Sequence, residues 1–336
     1  MVSGPLTTRQ GSWPAWLAAA PRVLHLVGRA VRAVWCRAFA GRDLQMKPLG
    51  SLLAIVLIAI PAHGCLAAGP NDAKNEVKAG VSGVPQACKP VYLTLDTGHM
   101  AVAPLIADIL NKHQVKVTFF AANERTKTGD GSLGHDWAPW WKARAAEGHA
   151  FASHTFDHTY WRGDAADPAG GASRFRMRST AGPLEGKDLT WTAQQYCEEI
   201  GKSSARLEQI TGQKSLPLFR APGGKTSPAL LAAAKSCGYA HAGWSPAGFL
   251  GDELPSDKFP NALLLQKALR DVRSGDVLLA HLGIWSRQDP WAPAVLEPLI
   301  TGLQSRGFCF QTLREHPQYK EWIETHARAT LSAPAN

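Results

Sequence analysis

Short apolar runs alternate along the chain with stretches whose apolar residues recur every three or four positions. The runs Val91–Leu95, Val115–Phe120, Ala150–Ser153, Leu216–Arg220, Ala240–Trp244, Val277–His281 and Phe308–Leu313 predict strands. Between them, Val102–Leu110, Trp137–Glu147, Thr190–Gly212, Ser227–Cys237, Asn261–Val272 and Ala294–Arg306 have helical spacing. Thr190 is the expected N-cap of the long third helix and Gly212 its stop. Strands alternating with helices imply a parallel sheet, hence an α/β fold in which about seven parallel strands close into a (β/α) barrel. Chemistry in such barrels collects at the carboxyl ends of the strands. The segment Tyr160–Leu189 breaks the rhythm, with little periodicity and the basic set Arg162, Arg174, Arg176, Arg178 and Lys187. It is expected to be a long loop, functional or disordered.

Upstream of residue 88 the pattern is that of a processing segment. Met46-Lys47 precedes an apolar run from Leu52 to Ile60, then Pro61 and the small residues up to Ala68. A basic start, a short apolar stretch and a small-residue end predict a signal peptide over 46–68. Nine apolar residues fall short of the roughly 20 that span a bilayer. Residues 1–45 are then an upstream extension with Met46 as the initiator, 69–87 a Gly/Pro/Ala/Lys-rich linker, 88–320 the main folded domain and 321–336 a C-terminal tail. Export to the periplasm, cell envelope or medium follows, with no stable membrane span once the signal is removed.

Charge adds an exclusion. Of the nine net positive charges, six lie in residues 1–47, where seven basic residues face Asp43 alone. The rest is nearly balanced, and a nucleic-acid partner is not expected. Four cysteines remain after the signal: Cys88, Cys197, Cys237 and Cys309. An even number in an exported protein suits disulfides, and no C-x-x-C pair suggests a zinc–thiolate site. The barrel order brings first and last strands together, so Cys88 can meet Cys309. Cys197 and Cys237, on helices flanking the Arg220 strand, can pair likewise.

Five polar clusters follow five predicted strands. Asp96, in Thr94-Leu-Asp-Thr-Gly98, is placed to act as a base. His154 and His158, four apart on one expected helical turn, can face a single divalent metal. Arg220, ahead of Ala-Pro-Gly-Gly224, can clamp a carboxylate and expose backbone N–H groups. Trp244 ends one strand and His281 another. A carboxylate base, a two-histidine metal site and a third histidine for an acid step make a hydrolytic set.

In this order the clusters resemble the polysaccharide deacetylases with NodB homology, carbohydrate esterase family 4, over roughly residues 90–315. That family's TFDDG motif is matched by Thr94-Leu95-Asp96-Thr97-Gly98. Its H-S/T-x-x-H motif is matched by His154–His158, R-x-P-x-G by Arg220–Gly224, and L-x-H by Leu279-Ala280-His281. The resemblance implies a distorted NodB-type barrel and metal-assisted removal of N-acetyl groups from amino sugars of peptidoglycan, a chitin-like oligomer or an exopolysaccharide. It also assigns roles. Asp96 is the general base, held by Arg220; His154 and His158 ligate the ion, zinc or else cobalt or nickel; His281 is the general acid. Leu279 and Trp244 line the acetyl pocket, and the Gly223 N–H helps hold the oxyanion.

Two departures stand out. Thr97 occupies the place of the family's third metal ligand, an aspartate. The aspartate the family commonly has a few residues after the strand-end Trp is also missing, Ala247 or a neighbour standing there. Asp157, Asp136 or Asp252 could complete the metal site, Asp252 only if its loop folds back, or Asp96 could bind the ion itself. Two other readings stay open: a glycan-binding relative without catalysis, and an amidohydrolase acting on a small non-sugar amide. The aromatics Trp137, Trp140, Trp141, Trp161, Trp285 and Trp291 are candidate sugar-stacking faces.

Overall fold

The structure, a computed structural model, describes residues 88–166 and 173–332, with side chains up to His326. The upstream extension, the signal segment and the linker to residue 87 lie outside the described residues.

The run Lys-Pro-Val-Tyr-Leu-Thr-Leu-Asp forms β1 (Lys89–Asp96), whose last six residues are all buried. Burial on both faces is what a near-continuous apolar run requires of a parallel strand. In chain order, α1 (Ala103–Lys112), β2 (Thr118–Ala121), α2 (Ala138–Ala146) and β3 (Ala150–Ser153) follow. Then come β4 (Thr159–Ala165), β5 (Arg174–Ser179), β6 (Asp188–Thr192), α3 (Ala193–Thr211), β7 (Leu218–Phe219), α4 (Pro228–Ser236) and β8 (Ala240–His241). The chain continues through α5 (Asn261–Asp271), β9 (Val277–His281), α6 (Trp291–Ala294), α7 (Leu296–Gln304), β10 (Phe308–Phe310) and α8 (Pro317–Ser332).

Seven strands pair in parallel in the order β10-β1-β2-β3-β7-β8, with β9 also on β1. Between β8 and β9 closure is irregular. Residues 245–250 run beside β9: the Ser245 N–H donates to Val277 O at 3.0 Å, and Phe249 bridges Leu279 in parallel. The barrel is therefore the expected one, with its distortion at this seam. Helices pack outside through apolar side chains such as Ile106, Trp141, Leu207 and Leu299, all fully buried.

Three local expectations are corrected. The described residues of 160–189 are not a structureless loop: they include β4, β5 and the start of β6, which pair as a three-stranded antiparallel sheet. The sequence of β5, Arg-Phe-Arg-Met-Arg-Ser, alternates strictly, burying Phe175, Met177 and Ser179 and leaving the arginines more exposed. That is the period of a half-buried strand. The cap of α3 is Thr192 rather than Thr190: its hydroxyl accepts from the Gln195 N–H, and the Gln195 side chain accepts from the Thr192 N–H. This reciprocal capping box satisfies two helix-end donors, worth about 1 kcal/mol. The residues from 321, expected as a tail, continue α8, which buries Tyr319 and Ile323 against the barrel.

Both expected disulfides are present. Cys88–Cys309 joins the start of β1 to β10, and Cys197–Cys237 joins α3 to the end of α4.

Candidate active site

Asp96 is the last residue of β1, buried beneath the barrel mouth. Arg220, just after β7, has no solvent exposure and donates from Nη1 to Asp96 Oδ1 at 2.6 Å. Its Nε and Nη2 donate to the carbonyls of Ala242 and Gly243 at 3.0 and 3.1 Å, and its guanidinium stacks 4.1 Å from the Phe120 ring. With the planar fork held at three points, the charge that orients Asp96 has one position.

His154 follows β3. Its Nδ1 sits 2.9 Å from the Arg220 carbonyl oxygen, so Nδ1–H donates and Nε2 is left facing the cavity, 3.5 Å from Asp96 Oδ2. Burial, and next the neighbouring His158, push its pKa well below the ordinary range, which keeps the ring neutral and its lone pair free. The expected helical turn between the histidines is absent. His158 is reached through a loop in which Thr155 and His158 take positive φ, 60° and 46°. Such backbone costs on the order of 1–3 kcal/mol per residue and persists where the surroundings enforce it. Here the Thr155 hydroxyl accepts from the Thr159 N–H at 2.8 Å, and the Thr180 hydroxyl meets His158 Nδ1 at 2.6 Å. The two rings end 4.8 Å apart, centre to centre.

His281 ends β9. Its ring Nδ1 lies 3.1 Å from both Asp252 oxygens, and the His281 backbone N–H donates to Asp252 Oδ2 at 2.7 Å. Burial acts to lower its pKa, but the charge and hydrogen bonds of Asp252, with Asp96 and Glu253 behind, raise it to about 9. The loop after Trp244 thus folds back far enough for Asp252 to hold His281, which removes Asp252 from the candidates for the metal. Asp157 points elsewhere, so close to Gly182 that a Cβ there would lie 2.3 Å from its Oδ1. Asp136 is exposed beside His135. Neither lines the cavity.

Gly98 allows the rim to close. A Cβ there would sit 2.1 Å from the Gly283 carbonyl oxygen, which accepts the His99 N–H at 3.0 Å and ties the end of β1 to the loop after β9.

These groups surround one cavity of about 100 Å³, lined by Asp96, Thr97, His154, His158, Gly223, Trp244, Leu279 and His281. The residues to which the motifs assign substrate or metal roles, His154, His158, Gly223, Trp244 and Leu279, therefore reach it together with Asp96 and His281, and Arg220 stands directly behind. Six lining residues carried no motif: Glu124, Tyr160, Glu253, Gly283, Ile284 and Trp285. Among the candidate stacking tryptophans Trp285 alone lines it; Trp137, Trp141 and Trp291 are buried in the core. Burial raises the pKa of Tyr160 and of Glu253.

Two imidazoles with lone pairs at one cavity fit a divalent ion of zinc type. Thr97 does not add a third donor in the usual way: its hydroxyl accepts the Ala122 N–H at 3.0 Å and ties β1 to β2. Among the described residues no three His, Cys, Asp or Glu side chains already converge as a finished ion site.

A family profile described as polysaccharide deacetylase matches residues 83–242. A chitooligosaccharide deacetylase of Azorhizobium caulinodans is 26% identical over 235 residues, 66% of this chain and 92% of that protein. A peptidoglycan-N-acetylmuramic acid deacetylase of Bacillus subtilis is 26% identical over 227 residues, 67% of this chain and 70% of that protein. In fold, the chain is similar to a family 4 acetyl xylan esterase of Clostridium thermocellum, solved with a cobalt ion. The TM-score is 0.51 at 22% identity, covering 69% of this chain and 92% of that one. Sequence, fold and the ordered strand-end motifs point the same way: residues 83–242 match the polysaccharide deacetylase family, and the chain is similar to deacetylases of the NodB type.

Proposed function

We propose that this chain is a metal-dependent hydrolase that removes N-acetyl groups from the amino sugars of an exported or cell-envelope glycan. The observation that carries this reading is a carboxylate and an imidazole on either side of one cavity, each locked to its own counter-charge: Asp96 to Arg220, His281 to Asp252. The arrangement prepares one proton acceptor and one proton donor at the same site.

A divalent ion held by His154 and His158 supplies polarisation of the acetyl carbonyl and acidification of a water when bound. Asp96, fixed by Arg220, takes the proton of the attacking water, whose oxygen adds to the carbonyl carbon. The Gly223 N–H supports the negative oxygen. As the carbon–nitrogen bond breaks, His281 gives its proton to the leaving amine, and acetate and the free amino sugar result. Leu279 and Trp244 enclose the methyl group. The two disulfides fit an oxidising compartment outside the cytoplasm. Relatives named for chitooligosaccharide and for peptidoglycan support N-acetyl hexosamine as the substrate class.

The test is acetate release by the purified chain from chitin-like oligomers, peptidoglycan and N-acetylated exopolysaccharide, after chelator treatment and again with Zn²⁺ or Co²⁺. Release restored by metal is expected. Silence on every glycan, with metal bound, would transfer the site to glycan binding or to a non-sugar amide.

A further inference from the structure

With Thr97 in place of an aspartate, a dication held by two neutral histidines has no carboxylate of its own. Asp96 is committed to Arg220 and Asp252 to His281. Two further acids line the cavity, Glu124 and Glu253, and of these Glu124 is the one in ion-pair contact with a histidine of the pair. Glu124 lies just beyond β2, the strand that stands between β1, which Thr97 follows, and β3, which leads to the histidines. Its Oε1 is 3.7 Å from His158 Nδ1, and its Oε2 is buried with no hydrogen-bond partner. Among the described residues its ion-pair partner is His158 itself. The backbone around it is pinned on both sides. The Asn123 N–H donates to Phe156 O, the Glu124 N–H to the Ser132 hydroxyl at 3.1 Å, and the Ser132 N–H to Glu124 O at 2.8 Å.

A buried carboxylate oxygen without a donor is costly, and a cation is what removes the cost. We propose that Glu124 is the third protein ligand of the metal in this chain, supplying from the neighbouring strand end the carboxylate that Thr97 lacks. The donor set becomes two imidazoles and one carboxylate, a common one for a catalytic zinc that keeps a further position open. Thr97 is then free for its structural bond to Ala122. The inference rests on the deacetylase reading only for the expectation of a metal.

Zinc titration of the chelator-stripped full chain by calorimetry, with metal content after gel filtration, tests this without any glycan. One zinc per wild-type chain is expected. E124Q should weaken the dissociation constant by more than about 100-fold, beyond the usual cost of losing an outer-shell partner. E124A, which removes the carboxylate without adding an amide donor, is read in parallel, with near-UV circular dichroism confirming the fold of each. T97D placed in the E124Q background should restore most of the affinity, since it returns the carboxylate from the other strand. Wild-type affinity in a folded E124Q or E124A overturns the proposal and leaves the deacetylase reading standing, and absence of zinc binding by the wild type overturns it as well. Normal zinc binding with no acetate release from any glycan counts against the deacetylase reading instead, and leaves Glu124 as the ligand.

Discussion

Asp96 and His281 are register partners on the adjacent parallel strands β1 and β9. The proposed base and acid therefore share one pair of strand ends, and their separation is set by sheet geometry rather than by loops. What distinguishes them is what stands behind each, a guanidinium for Asp96 and a carboxylate for His281. Neutral residues at those two supporting positions would leave the strand ends in place and remove their chemistry.

The pH behaviour of His281 follows from Asp252. In the metal-free protein its imidazole should titrate near pH 9, read by NMR. A histidine raised above its ordinary 6.5 stabilises the fold when protonated. That contribution, on the order of 3 kcal/mol, is complete below pH 6.5 and fades as pH rises through about 9. In D252N the largest raising charge is lost and burial is opposed by Asp96 and Glu253 alone, so the His281 pKa should fall well below 9 and the window should narrow. Acetate release at pH 7 should drop by about 100-fold, the scale of a lost general acid. An unchanged titration in D252N would break the assignment.

Arg220 and Asp96 should behave as a unit. R220M leaves a buried carboxylate unpaired, at a cost of about 3–5 kcal/mol in urea unfolding. D96N/R220M should recover much of that loss, because no charge remains to be paired, while staying inactive. R220K is not a conservative change here: an ammonium cannot serve Asp96 and the carbonyls of Ala242 and Gly243 in one plane. Simple additivity of D96N and R220M would mean that the 2.6 Å contact is not energetically coupled.

Residues that repeat on a regular period were legible in the sequence. Ala150–Ser153 and Val277–His281 form strands over the predicted residues, and Asp96, His154, His158, Arg220 and His281 meet because each ends or follows a barrel strand. Glu124 was not legible, since a lone acid in a loop after β2 acquires meaning only when β2 is known to lie between β1 and β3. Asp252 needed the fold-back of 245–252, which no periodicity reports. The β5 alternation was readable and was outweighed by the glycines and arginines around it.

That alternation gives a direct check on the β4-β5-β6 sheet. Phe175 is buried against the α3 side chain of Tyr196, while Arg176, its neighbour in sequence, faces outward. F175A should cost about 3–5 kcal/mol, as loss of a buried aromatic does. R176A should stay within about 0.5 kcal/mol. Equal, small effects at both positions would return this segment to a loop.

The two disulfides should differ in weight because they close loops of different length. Cys197 and Cys237 are 40 residues apart, Cys88 and Cys309 are 221 apart. Chain entropy alone then gives about 4 kcal/mol for the shorter and about 5 for the longer. Position widens the gap: Cys88 precedes β1, and freeing it lets the β1–β10 pairing at Lys89–Val91 fray next to a chain end of the barrel. Cys197 and Cys237 instead join α3 and α4, helices already packed on one another through Tyr196, Ile200 and Leu230. C88S/C309S should therefore lower the midpoint of thermal unfolding more than C197S/C237S. If the order is reversed, the α3–α4 contact depends on its covalent link more than its buried apolar surface implies.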